Sequence, residues 1–386
     1  MCFSAFSFRK TSMRKIRVLV VDDAATVRRL VSEALASDPA IEVAGVAPTG
    51  RLALAKLPQL NPDLVTLDVE MPGMSGLEVL AEIRTHYPDL PVLMLSSYTE
   101  RGAAVTLEAL ALGASDYLPK PTGLPSAEEA GAYLRGELIP KVKALCANRV
   151  EWGSSPLVTR PAPRAAKGEP GPTPTERVDV LAIGVSTGGP NALSQVMAAL
   201  PGEFPVPIVV VQHMPPVFTR LLAERLSETS RFRVREAAAG EALEPGSVWL
   251  ARGDYHLVVE RSDKQLRVNV NQEPPENSCR PAVDVLFRSV AQVFGAGSLA
   301  VVLTGMGRDG LRGSEEIRAA GGQVLVQDEA TSVVWGMPGF VANAGLANAV
   351  LPLPEIAAEI ERRVWSKRSR VLRRGFADAA GKVPGG

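Results

Sequence analysis

Residues 178–200 read VDVLAIGVSTGGPNALSQVMAAL. An apolar, β-branched run gives way to a glycine-rich turn and then to apolar residues at helical spacing. This is one strand–turn–helix unit, the building block of a parallel sheet covered by helices. Within the turn, Gly184-Val185-Ser186-Thr187-Gly188 fits G-x-S-x-G, which lifts a serine hydroxyl onto a sharp strand-to-helix bend. The helix amino terminus beyond it offers free N–H groups and positive potential. A phosphate-cradling loop and a plain tight turn compete with that reading. Against the first, no G-K-[ST] follows at the required spacing.

A serine nucleophile needs a base, and the chain has three histidines. His86 lies in IRTHYPD, a helix end, and reads as solvated. His256, in ARGDYHLVV, opens a strand and so faces the wrong edge of a parallel sheet; it is the reserve. His213 ends the run PIVVVQHM one strand–helix unit after Ser186. Neighbouring strands lie about 4.8 Å apart, so groups at adjacent carboxyl ends come within reach of each other. An orienting carboxylate is offered by SLAVVLTGMGRDG, an apolar strand and a Gly-Met-Gly turn leading to Asp309. The chain order Ser…His…Asp differs from the Ser…Asp…His of α/β-hydrolases.

The same alternation of strands and helices occupies residues 14–146. Strand one, IRVLVV, ends in Asp22-Asp23; a later strand, LVTLDVEMPG, carries Asp68; PVLMLSS ends in Ser96-Ser97; and SDYLPKP carries Lys120. Functional groups of open parallel sheets gather at strand carboxyl ends. Any one of these aspartates could be a helix N-cap. Three converging carboxylates repel unless a cation such as Mg2+ joins them, and Asp68 could then attack a phosphoryl group, with Lys120 and Ser96 holding its oxygens.

Between the halves, GSSPLVTRPAPRAAKGEPGPTPTE (153–176) has six prolines and no apolar periodicity, the mark of a semi-rigid linker. The chain is 386 residues, 46% hydrophobic and 22% charged, with 42 basic against 42 acidic residues. That excludes wholesale disorder, and no global field draws the chain to nucleic acid. Three scattered cysteines (Cys2, Cys146, Cys279) make neither a disulfide framework nor a zinc cluster. No apolar run approaches the roughly 20 residues of a spanning helix. The expected location is cytoplasmic, without membrane insertion. Residues 1–13 and 366–386 read as disordered extensions; the latter is basic, and its role is open.

VLVVDD, TLDVEMPGMSG, LMLSS and DYLPKP together resemble a response-regulator receiver domain. The resemblance implies phosphorylation of Asp68 by a histidine kinase, and Mg2+ held by Asp22, Asp23, Asp68 and the carbonyl of Glu70. Ser96 and Lys120 then sense the phosphoryl group, and Tyr117 is the aromatic that changes rotamer. Ala24-Ala25 depart from relatives that often carry a hydroxyl residue there, which leaves the metal ligands intact.

IGVSTGGP, VVVQHMPPVFT, RPAVDVLFRS, VVLTGMGRDG and VVWGMPGFVANAGLA resemble the CheB-type protein-glutamate methylesterases. That resemblance implies a Ser186–His213–Asp309 triad, with Thr187 beside the nucleophile and the Met306 N–H at the oxyanion. It implies hydrolysis of glutamate γ-methyl esters on methyl-accepting chemotaxis receptors, glutamine deamidation by the same groups, and no cofactor for the esterase. Cys279 stands where a histidine or other polar residue is expected, and Arg252 where proline is, departures that touch local substrate contacts and not the chemistry.

The expected architecture is two doubly wound α/β parallel-sheet domains. They are a flavodoxin-like receiver (14–140) and a Rossmann-like methylesterase domain (177–365), joined by a Pro-rich linker (141–176). The fusion implies that phosphorylation biases a two-state restraint on the esterase, a coupling of about 1–3 kcal/mol. A DNA-binding regulator would need a helix-turn-helix or a basic surface after the linker, and neither is present. A scaffold with a decayed site would have lost Ser, His or Asp. A receiver-regulated esterase serving a non-classical sensory array is the remaining alternative.

Overall fold

The structure is a computed structural model that describes residues 14–121, 125–147, 177–262 and 265–366. The expectations for the terminal extensions and for most of the Pro-rich segment lie outside the described residues. Two compact units are present, and each is treated by itself.

Residues 16–145 alternate five strands with helices: β1 (Ile16–Val21), α1 (Ala25–Ala36), β2 (Ile41–Ala47), α2 (Gly50–Leu60), β3 (Leu64–Asp68), α3 (Gly76–His86), β4 (Val92–Ser96), α4 (Glu100–Ala111), β5 (Asp116–Pro119) and α5 (Ala127–Leu145). The sheet is all-parallel in the order β2-β1-β3-β4-β5. This is the flavodoxin-like order, whose winding reverses between β1 and β3. The central strands β3 and β4 are buried along their whole length, which is why their sequences are unbroken apolar runs.

The linker boundary drawn at 140 needs correction: α5 continues to Leu145. Pro140 looks like a stop, yet Val142 and Leu145 are buried, and Lys141 pairs with Asp116 at the start of β5. Burial of this last stretch outweighs the hydrogen bond that the proline forfeits.

The second unit begins with β6 (Val180–Val185), α6 (Gly189–Ala199), β7 (Ile208–Gln212), α7 (Phe218–Thr229), β8 (Val234–Glu236), β9 (Glu241–Ala242), β10 (Val248–Leu250), β11 (His256–Ser262) and β12 (Gln265–Asn271). It continues through α8 (Val283–Phe294), β13 (Ser298–Val302), α9 (Leu311–Ala319), β14 (Gln323–Gln327), α10 (Met337–Asn343), β15 (Ala349–Leu351) and α11 (Leu353–Trp365). Seven strands form one parallel sheet, β15-β14-β13-β6-β7-β10-β8. Its crossing point is β6, flanked by β7 on one side and β13 on the other.

The core on one face joins the sheet to α8 through Val283, Leu286, Phe287 and Val290, all fully buried. The parallel-sheet expectation did not include a small antiparallel sheet, β11-β12-β9. That sheet delivers the chain to a turn at 276–279 which borders the site described next.

Candidate functional site

At the β1/β3 crossing of the first unit, Asp22 and Asp23 follow β1 and Asp68 ends β3. Ligand oxygens of the three lie within 4.8 Å of one another. Lys120, just after β5, reaches both Asp68 Oδ1 (2.7 Å) and Asp22 Oδ2 (2.9 Å). Two of the three also accept a backbone N–H two residues on, without capping a helix: Asp22 Oδ1 from Ala24 (2.9 Å) and Asp68 Oδ1 from Glu70 (3.2 Å). That leaves Asp68 Oδ2 buried and, among the described residues, without a hydrogen-bond partner. One lysine facing three carboxylates leaves excess negative charge, and an orphaned buried oxygen aimed among them suits a hard divalent cation. Ser96 and Tyr117 are both buried on the neighbouring strands β4 and β5.

Burial raises the Asp68 carboxyl from 3.8 to about 6, the Lys120 ammonium pulling it back down and Asp22 pushing it further up. The folded chain therefore keeps this proton to a higher pH than the unfolded chain does. Stability is fully present below about pH 4 and falls as pH rises through about 6, by roughly 2 kcal/mol. Asp68→Asn removes the ionisation. Calorimetric unfolding in EDTA should show the variant more stable than the parent by about that amount at pH 7.5, and equal to it near pH 4. An equal difference at both pH values would refute this account.

In the second unit, Ser186 follows β6 directly. Gly188 adopts φ +75°, and a Cβ there would lie 2.6 Å from Val333, so only glycine fits the bend. The Ser186 N–H donates to the Thr304 carbonyl (3.0 Å), its own carbonyl accepts from Gly189 (2.7 Å), and the Gln212 amide donates to that carbonyl as well (3.0 Å). Gly305 passes so close that an added Cβ would meet Ser186 Cβ at 2.9 Å. The half-buried Ser186 hydroxyl itself makes no hydrogen bond among the described residues.

His213 follows β7, the strand in register with β6, and its N–H donates to the Val185 carbonyl (3.1 Å). Its Nε2 lies 2.8 Å from Asp309 Oδ2. Asp309 is buried and held by four further donors: the N–H groups of Val283 (2.6 Å), Asp284 (3.0 Å) and Gly310 (3.0 Å), and the Asn277 amide (3.0 Å). Two of these belong to the first turn of α8, where backbone donors and the helix dipole favour an anion. An ionised Asp309 fixes Nε2 as the nitrogen that keeps its proton, so in the neutral ring Nδ1 is the acceptor.

Burial presses the imidazole toward neutrality, but the bond to Asp309 and the neighbouring Cys279 overcome it and raise the ring to about 10. Burial likewise opposes charge on Asp309, and its bond to His213 together with the α8 amides lowers it. The adjacent Asp284 is pushed up to about 6 by burial and by Asp309, its bond from Gly313 opposing. The two carboxylates are thus driven apart, one ionised and one inclined to hold a proton.

The structure thus brings His213 and Asp309 into contact and sets Ser186 on the adjoining strand end. It does not bond Ser186 to His213: the atom facing Nδ1 is Cys279 Sγ, at 3.6 Å. Thr187 is buried beside the elbow, its carbonyl accepting from Thr304 Oγ1 (2.9 Å). Met306 is half-buried in the loop after β13, and its N–H donates to none of the described residues. Asn277, Gln212, Thr304 and Asp284 were not singled out in the sequence. Only the acidic residue in the first turn of α8 carried a signal.

His86 is exposed near Glu82. His256 is buried between the Ala282 N–H, donating to Nδ1 (3.2 Å), and the Pro274 carbonyl, accepting from Nε2 (3.2 Å). It is a pinned structural ring that makes no hydrogen bond to Ser186, His213 or Asp309 among the described residues. His256→Ala should cost about 2–4 kcal/mol in chemical denaturation, through an orphaned amide and a cavity. Turnover per folded molecule should stay within about fivefold of the parent; a loss as large as that of His213→Ala would overturn this assignment.

A parallel-sheet unit with paired aspartates and a lysine at its switch point, followed by a second sheet with a serine elbow and a His–Asp pair, defines a receiver fused to an α/β hydrolase-like unit. Family models agree on both parts: residues 18–130 match the response regulator receiver domain and residues 181–360 the CheB methylesterase. The chain is 53% identical over 356 residues to a protein-glutamate methylesterase/protein-glutamine glutaminase of Trichodesmium erythraeum, covering 91% of this chain and 100% of that one. It is 49% identical to a protein of the same name from Nocardioides, covering 94% and 99%. The chain belongs to the CheB methylesterase family. Among solved structures, the CheB methylesterase catalytic domain of Thermotoga maritima is 42% identical, with 48% of this chain and 97% of that one covered and a TM-score of 0.47.

Proposed function

We propose that this protein removes glutamate γ-methyl esters from methyl-accepting chemotaxis receptors, releasing methanol, and deamidates receptor glutamines at the same site. The observation that carries the reading is the His213–Asp309 pair at the strand end next to the Ser186 elbow. Family membership and the names of full-length relatives support the substrate class.

Ser186 Oγ attacks the ester carbonyl and passes its proton to His213 Nδ1. This requires the unbonded hydroxyl to turn toward the ring and substrate to settle beside Cys279. Asp309 holds Nε2–H and stabilises the imidazolium as it forms. N–H groups of the elbow and of Met306 receive the oxyanion, commonly the largest catalytic contribution. Collapse of the tetrahedral intermediate expels methoxide, which takes the proton from His213. Water, deprotonated by the same ring, then cleaves the acyl-serine. An amide follows the same path and releases ammonia.

In the receiver, Asp68 accepts a phosphoryl group from a histidine kinase of the chemotaxis system. Asp22, Asp23, Asp68 and the Glu70 carbonyl would hold Mg2+, which supplies positive charge against the carboxylates and phosphoryl oxygens. Lys120 and Ser96 bind those oxygens, and Tyr117 responds by changing rotamer. The protein acts in the cytoplasm; no helix among the described residues is long and apolar enough to cross a membrane.

Methanol release from methylated receptor membranes, with and without acetyl phosphate and Mg2+, tests both halves. Release that rises with the phosphodonor is expected, and Asp68→Asn should keep basal release and lose the rise. No methanol under either condition would reject the function.

A further inference from the structure

We propose that His213 Nδ1 and Cys279 Sγ form an inhibitory site for a thiophilic divalent cation, Zn2+ in the first instance. The inhibition rests on the function proposed above; the binding does not.

Cys279 ends a tight two-residue turn. Glu276 and Cys279 exchange both backbone hydrogen bonds (3.1 and 2.9 Å), and Asn277 and Ser278 between them have φ of 53° and 62°. Positive φ at both central residues marks the hairpin type that Asn favours. The turn is tied down on either side, by Glu276 to Arg288 (2.7 Å) and by Arg280 to Asp254 (2.6 Å). Asn277, in the same turn, bonds Asp309 and Asp284. The sulfur is therefore held in place opposite the ring by surrounding structure.

Its spacing is the decisive quantity. A tetrahedral Zn2+ with Zn–N of about 2.05 Å and Zn–S of about 2.3 Å separates those two ligand atoms by about 3.6 Å. Cys279 Sγ and His213 Nδ1 are 3.6 Å apart. The outer shell also matches. A histidine that ligates a metal characteristically donates its other ring N–H to a carboxylate, which fixes the tautomer, and Asp309 already receives that bond. Although Asp309 lies within 4.8 Å of the other two ligand atoms, its oxygens are engaged by five donors, so it orients the ring rather than binding the ion.

A thiolate and an imidazole select Zn2+ over Mg2+, whereas the all-oxygen cluster of the receiver has the reverse preference. On binding, the thiol proton of Cys279 and the Nδ1 proton of the imidazolium both leave to solvent, and the freed Nδ1 lone pair becomes a metal bond. That lone pair is the one the serine proton needs, so a bound ion stops hydrolysis at its first step.

The full chain in saturating Mg2+ is titrated with Zn2+ by equilibrium dialysis. The parent should bind one Zn2+ per chain more than Cys279→Ser, and Ser186→Ala should match the parent. Zn2+ should also slow iodoacetamide alkylation of Cys279 in the parent at least tenfold, followed by peptide mass spectrometry, a readout that needs no variant. Methanol release, normalised to each protein's own metal-free rate, should fall at least tenfold with Zn2+ in the parent and far less in Cys279→Ser. Equal Zn2+ binding by parent and Cys279→Ser, or unprotected alkylation, would overturn the site. Protection of Cys279 with undiminished methanol release would overturn the inhibition. A chain that binds Zn2+ at Cys279 but releases no methanol even without metal would instead refute the function and leave the site standing.

Discussion

Ser186→Ala lowers methanol release by at least about 10³-fold while leaving phosphorylation of Asp68 unchanged. Alanine deletes the attacking oxygen and little else. The Ser186 backbone keeps its bonds to Thr304, Gly189 and Gln212, and the hydroxyl has no hydrogen bond to lose. Fold and thermal stability should therefore be those of the parent, which separates a chemical defect from a structural one. The remaining rate measures what oxyanion donors and substrate positioning supply alone, typically about 10³–10⁴ over water. Phosphorylation with acetyl phosphate serves as the internal control. A variant that retained more than about a tenth of parental release would remove serine from the mechanism and turn attention to Cys279, the other nucleophile beside the same ring.

Asp309→Asn produces the second large effect, about 10³–10⁴-fold in kcat, and it also changes the pH profile. Asparagine occupies the same space, but Val283 bonds Oδ2 and Asp284 bonds Oδ1, so its single carbonyl keeps one α8 amide while its NH2 faces the other, and some stability is lost with the rate. What disappears is the charge. The bond that Nε2–H donates to Asp309 raises the imidazole, which reaches about 10 in the parent with Cys279 contributing, and the base must be neutral to accept the serine proton. Parental kcat/KM therefore climbs with pH along a limb governed by that ionisation. Without the carboxylate the ring loses its proton more readily, and the limb moves to lower pH even as the maximum falls. A low maximum with an unmoved limb would mean that Asp309 shapes the site without tuning the ring.

Much of this molecule was readable along the chain. Unbroken apolar runs ending in aspartate, serine or histidine marked the strands, because both faces of a doubly wound sheet are covered and every residue of a central strand is buried. Ser186, His213 and Asp309 could be picked out because each sits at a strand's carboxyl end or just beyond. The antiparallel sheet β11-β12-β9 was harder, since it interrupts the alternation without contributing to the parallel order. The receiver was expected to end at 140, but α5 runs on to Leu145, where Val142 and Leu145 are buried. His256 shows the same limit from another side: its strand position was legible, but the Ala282 and Pro274 groups that clasp it lie 26 and 18 residues away.

By itself the sequence determined the two-part α/β architecture, the strand-end places of Asp22, Asp23, Asp68 and Lys120, and the serine elbow. Those follow from short-range sterics and from apolar periodicity, which neighbouring residues encode. Only the tertiary structure decided which nitrogen of His213 meets Asp309, that Asn277 and the first turn of α8 share that carboxylate, and that the sulfur of Cys279 rather than the hydroxyl of Ser186 stands before the ring. Such contacts join residues 25 to 96 positions apart. Their geometry is set by how a turn, a helix end and two strands pack together, and no local pattern records the outcome.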